Sequence, residues 1–94
     1  MAPVTIRLHG AFSDFANGAR RVDLDAATAG EALEALAVAH PSLRERLRDE
    51  HGVLRVHLSV FVNADDLASL DGDGTVLHDK DVVHIIPAVS GGGQ

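Results

Sequence analysis

The sequence predicts an α+β fold: a mixed sheet of four to five strands, one main crossover helix and one short helix. Three observations carry that prediction. Apolar residues alternate with polar ones in "VTIRLH" and again in "HLSVFVN". A capped stretch with helical spacing lies between those two segments. A nearly continuous β-branched run, "VVHIIP", comes late in the chain and fits a central strand covered on one face and partly on the other.

The elements follow in order. In the first strand Val4, Ile6 and Leu8 fall on one face and Thr5, Arg7 and His9 on the other, as in a half-buried strand. "FSDFANGAR" holds turn chemistry, with Asn17-Gly18 suited to positive φ. "RVDLD" alternates again, with Val22 and Leu24 inward, so the two strands form an N-terminal hairpin. Thr28 and Glu31 make a T-x-x-E capping box. Leu33, Leu36, Ala37 and His40 then share a helical face, and Pro41 ends that helix because the residue before proline avoids the α region. "PSLRERLRDE" is a short second helix, with Leu43 and Leu47 four apart and a charged solvent face. Leu58, Val60 and Val62 face inward on the third strand. Asn63-Ala64-Asp65 begins a turn, "SLDGDG" is loop with a short strand expected at Thr75 to Leu77, and "HDKD" is another turn. Pro87 stops the last strand.

This order is hairpin, helix, strand, loop, strand. The first and last strands are apolar enough to be central neighbours, and joining them in parallel requires the helix as a crossover. That is the β-grasp, or ubiquitin-like, arrangement, although element order alone leaves other α+β folds open. The expected organisation is a β-grasp domain over residues 1–87 and a flexible C-terminal tail over 88–94.

Composition narrows function. The 94 residues suffice for one domain with one modest core. A net charge of −6 and only three Phe, with no Tyr or Trp, argue against nucleic acid as a partner. No apolar stretch is long enough for a membrane span, and "MAPVTIRLHG" lacks a signal-peptide layout, so a cytoplasmic location is expected. The absence of cysteine removes disulfides, thiolate metal ligands and a thiol nucleophile.

Several motifs lose to blander readings. In the best calcium-loop register Ser69, Asp71, Asp73 and Gly74 take positions one, three, five and six. Position twelve is then Lys80, where a bidentate Glu is needed, so a polar turn is the better reading. The six histidines (His9, His40, His51, His57, His78, His84) contain no zinc-binding pair spacing. His9, His57 and His84 share the outward sheet face if the strands pair as described, and exposed sheet positions outweigh a surface metal site there. No phosphate-binding loop occurs, and the single lysine, Lys80, sits between aspartates. No serine has an elbow motif. No intrinsic catalytic site, metal site or bound cofactor is expected.

What remains is "PAVSGGGQ". A Gly-rich terminus is most often an inert end. Here, however, the glycines follow four residues after a core strand, and glycine alone lets a backbone enter a narrow channel. The stretches "VFVNADD" and "LHDKDVVHIIPAVSGG" resemble the MoaD/ThiS-like sulfur-carrier proteins of ubiquitin-like fold. The resemblance runs over nearly the whole chain and rests on an apolar strand followed by Pro, x, Val, a small residue and Gly-Gly. It implies that Val89, Ser90 and Gly91 form an arm and that Gly92 bears the reactive carboxyl. An E1-like adenylating enzyme would spend ATP to activate that carboxyl. A sulfur donor or sulfurtransferase would then leave a thiocarboxylate for a downstream sulfur-accepting synthase. Gly93 and Gln94 depart from the pattern. They imply a precursor trimmed by a JAMM-type zinc metalloprotease, with cleavage after Gly92 preferred over cleavage after Gly93. Strand parity turns Phe61, His84 and Ile86 outward, and with Pro87 they form the expected partner-binding patch. Three other functions stay open: a ubiquitin-like protein modifier, a molybdopterin synthase small subunit, or a plain interaction module with an inert tail.

Overall fold

The computed structural model describes residues 1–87, so the expected tail lies outside the described residues. Five strands form one sheet: β1 (Ala2–Leu8), β2 (Arg21–Ala26), β3 (Leu58–Val62), β4 (Asp65–Asp66) and β5 (Val82–Pro87). Their spatial order is β2-β1-β5-β3-β4. Only the central pair, β1 and β5, runs parallel; β1–β2, β3–β5 and β3–β4 are antiparallel. Helix α1 (Ala29–Ala39) and the single turn of α2 (Arg44–Leu47) complete the α+β architecture. This is the β-grasp arrangement.

The period-two strands bury the side chains that their alternation assigns. Val4, Ile6 and Leu8 of β1, Leu58, Val60 and Val62 of β3, and Val83 and Ile85 of β5 all enter the core. Opposite them, α1 contributes Leu33 and Leu36, and the stretch after it contributes Leu43 and Leu47; these four are almost wholly shielded from solvent. Each such side chain contributes about 1.5–3 kcal/mol by leaving water. Val22 and Leu24 are only half-buried because β2 is an edge strand.

The capping box forms, with one shift. Thr28 Oγ1 accepts from the Glu31 backbone NH at 3.2 Å, while Glu31 reaches back to the NH of Ala27, one residue before the cap. Helix α1 ends at Ala39, so His40 caps it rather than extending it. Pro41 then opens a 3₁₀ turn, Pro41–Leu43, that runs into α2.

Two expectations fail. The segment Thr75 to Leu77 is not a strand of the sheet. Its backbone bonds instead to the start of α1: Ala29 donates to Thr75 at 2.9 Å, and Leu77 donates to Ala27 at 2.9 Å. Asp65, expected with Asn63 and Ala64 in a turn, instead forms with Asp66 the short edge strand β4 against Phe61 and Val62. The DGDG stretch packs on the helix start, where a Cβ on Gly30 would lie 3.0 Å from that of Asp73. Asp73 itself is held by Arg48 at 2.9 Å, so the turn reading holds for a residue that a calcium loop would need as a ligand.

Asn63 connects β3 to β5. It adopts φ 56, where Asn is among the few tolerated side chains. Its side chain accepts from the Val82 NH at 3.0 Å and donates to Asp81 at 3.0 Å. Burial opposes ionisation of Asp81, but the bonds from Asn63 and from the His78 backbone NH outweigh it and hold the carboxyl below its usual range.

Candidate functional site: the open sheet face and the root of the C-terminal arm

The helices cover one face of the sheet and leave the other open. Register places Arg7 of β1, His84 of β5 and Phe61 of β3 side by side across that open face. One step further toward the end of β5, Ile86 lies beside Ser59, and Pro87 pairs with Leu58. Phe61, His84, Ile86 and Pro87 are each half-buried. Phe61, His84 and Ile86 are therefore neighbours on the open face, whereas Pro87, in phase with the buried Val83 and Ile85 and paired with Leu58, falls on the opposite face of β5, so the expected patch is not one surface of four residues.

The end of β5 is held from both sides. β3 pairs with it through Pro87. On the β1 side the His9 NH donates to the Ile85 carbonyl at 3.0 Å. Gly10 then turns away at φ +59, in contact with the Pro87 ring. A Cβ on Gly10 would stand 2.8 Å from Pro87 Cγ. The end of β5 at Pro87 is therefore a fixed point on a central strand, and the glycine that lets the chain after β1 pass so closely contributes to fixing it.

His9 and His84 meet beside this point. His9 Nε2 lies 3.0 Å from His84 Nδ1, with ring centroids 5.2 Å apart. One ring donates and the other accepts, an assignment that depends on the tautomer. Burial, then the nearby charges of His9 and Arg7, push the His84 imidazole below its ordinary pKa. His57 does not join them; it precedes β3 in an exposed turn. Among the described residues no three His, Cys, Asp or Glu side chains converge as metal ligands, and no helix is long and apolar enough to cross a membrane.

Gly10 was not visible as a functional element in the sequence, and the sequence put His9 and His84 on one face together with His57 without disclosing their direct contact. A glycine directly after a strand was the only signal for the first, and the second needs the β1–β5 register. Val89, Ser90, Gly91, Gly92, Gly93 and Gln94 lie outside the described residues.

A mixed five-stranded β-grasp sheet with an open face that runs to a Gly-rich end defines the ubiquitin-like class. The ThiS family model matches residues 6–92, and the chain belongs to that family. Small archaeal modifier protein 1 of Haloferax volcanii is 41% identical over 86 residues, covering 86% of this chain and 94% of the relative. The sulfur carrier protein CysO of Mycobacterium tuberculosis is 29% identical over 91 residues, covering 95% and 98%. A chain in the crystal structure of the Amycolatopsis orientalis BexX/CysO complex superposes with a TM-score of 0.83 at 28% identity, covering 95% of this chain and 99% of that one. The family thus includes both sulfur carriers and small protein modifiers, and these relatives are small carrier or modifier proteins.

Proposed function

We propose that this protein is a sulfur carrier that acts as a co-substrate of partner enzymes, not as an enzyme itself. The observation that carries the reading is that the ThiS family match ends at Gly92, leaving Gly93 and Gln94 beyond it. In this reading a JAMM-type metalloprotease adds water across the Gly92–Gly93 amide and releases Gly-Gln. An E1-like enzyme then joins the Gly92 carboxylate to AMP from ATP, with pyrophosphate leaving. A sulfur donor displaces AMP, and the resulting thiocarboxylate passes to a sulfur-accepting synthase. A carboxylate is a poor electrophile, so activation must precede sulfur transfer. With no cysteine in the chain, the acyl end is the place left to hold sulfur. The rigid root at Pro87 supports this role, because positioning of the reacting end is what the carrier supplies. Phe61, His84 and Ile86 provide the docking face beside it, and the sequence of steps runs in the cytoplasm.

The test compares chains ending at Gly92 and at Gln94 with the cognate activating enzyme, ATP and labelled pyrophosphate. Exchange of label into ATP is expected with the Gly92 end and not with the Gln94 end. Equal exchange by both would overturn the requirement for trimming, and exchange by neither would overturn the carrier reading.

A second reading, a modifier joined to lysines of other proteins through the same activated glycine, is favoured by the 41% identity to Small archaeal modifier protein 1. Isopeptide-linked adducts formed with the activating enzyme and ATP would support it. Accumulation of thiocarboxylate without adducts would count against it.

A further inference from the structure

The His9–His84 pair is absorbed by neither the core nor the arm. His9 follows β1 directly and His84 sits on the central strand β5 beside it. Both rings are half-buried on the open face, and no carboxylate pairs with either ring or with Arg7 among the described residues. When each ring carries its proton on its far nitrogen, His9 on Nδ1 and His84 on Nε2, two lone pairs face one gap.

We propose that His9 Nε2 and His84 Nδ1 form a two-imidazole chelate for a divalent transition metal, with Cu(II) the ion that fits best. The nitrogens stand 3.0 Å apart. A metal about 2.1 Å from each, the usual metal–imidazole distance, sees them at roughly 90°. That is the angle between adjacent ligands in square-planar or octahedral geometry, and it is well short of the tetrahedral angle that Zn(II) adopts in structural sites. Cu(II) also heads the general affinity order of divalent metals for such ligands. Both rings must turn from the hydrogen-bonded arrangement to aim their lone pairs at the ion, whose remaining positions are open to water.

A neighbouring charge limits the site. Arg7 lies in register beside His84 and repels a dication, so the affinity is that of a weak two-ligand surface site. A bound ion would sit next to Phe61 and Ile86 and change the charge of that face. The site stands independently of the carrier reading.

The experiment titrates Cu(II), Ni(II) and Zn(II) into the full-length chain near neutral pH, followed by calorimetry and, for copper, electron paramagnetic resonance. A single copper with two-nitrogen coupling is expected, with paramagnetic broadening that begins at His9 and His84. His9→Asn or His84→Asn should weaken copper at least about tenfold, since even loss of an outer-shell partner commonly costs that much. Arg7→Gln should tighten it, and His57→Asn should leave it unchanged. Copper binding that survives both histidine substitutions, or broadening that begins at other residues of the unsubstituted chain, would overturn the assignment. The broadening pattern decides the matter even if a variant folds poorly. Zinc bound as tightly as copper would overturn the choice of metal.

Discussion

Replacing Gly10 by Ala tests whether the root of the arm is fixed by close backbone approach. Gly10 has φ +59, a region that costs an L-residue about 1–2 kcal/mol. The added methyl also meets Pro87 Cγ at 2.8 Å, closer than carbon atoms pack, so the ring or the end of β5 must shift. Overpacking of this kind costs about 1–3 kcal/mol. The sum is about 2–5 kcal/mol, and Pro87 at a strand end can yield, which favours the lower figure. For a domain this size about 2 kcal/mol lowers the melting temperature by about 8–16 °C. Gly18→Ala is the control: Gly18 also has positive φ, +85, but nothing lies within 4 Å of its would-be Cβ. Thermal unfolding followed by circular dichroism should show Gly10→Ala well below Gly18→Ala. In the double variant with Pro87→Ala, part of the Gly10→Ala loss should disappear, by more than the ~0.5 kcal/mol scatter of independent sites. Equal shifts for the two glycine variants, together with an additive double variant, would refute the reasoning, because Gly10 would then report only its own backbone.

Other perturbations read other parts of the structure. Asn63→Ala removes the bonds to Val82 and Asp81 and puts alanine at φ 56; a loss of about 2 kcal/mol is expected in urea unfolding, with Asn63→Gly losing less. His84 has its pKa pushed down from 6.5 by folding, so as pH falls the unfolded chain takes up the proton first. Its contribution to stability is therefore complete above the ordinary histidine range and is lost as pH falls from about 6.5 through the lower folded value; His84→Gln should flatten that part of the stability profile. Asp81, whose pKa is depressed below 3.8, contributes above that value and loses its contribution only in more acid solution, so the two losses should appear as separate windows. Leu36→Ala, at a site with no solvent exposure, should cost about 2–5 kcal/mol by the same urea assay. Gly92→Ala should leave the melting temperature unchanged while impairing trimming or adenylation.

How far the sequence discloses this structure depends on the range of each interaction. β1, β3 and β5 are legible because burial on one face imposes a period of two on Val4, Ile6 and Leu8 or on Leu58, Val60 and Val62. The start of α1 is legible because Thr28 and Glu31 act within one turn. β4 is not, since two aspartates carry no strand signal and their pairing with Phe61 and Val62 is made by backbone alone. Thr75 to Leu77 misleads because its β-branched residues look like a strand, while its hydrogen bonds go to the helix start. Parity within single strands turns Phe61, His84 and Ile86 outward, and the β3–β5 register sets them side by side on the open face. The contact of His9 with His84 spans 75 positions and depends on the parallel register, which no local pattern encodes. The role of the C-terminal glycines came from family resemblance rather than from physical chemistry, which shows only that glycine suits a narrow channel.

Intact-protein mass spectrometry of the chain isolated from its own cells tests the central claim most directly. The account predicts a major species lacking Gly93 and Gln94, and a fraction of it with one terminal oxygen replaced by sulfur. Finding only chains that end in Gln94, in cells that contain the trimming protease and the activating enzyme, would contradict it.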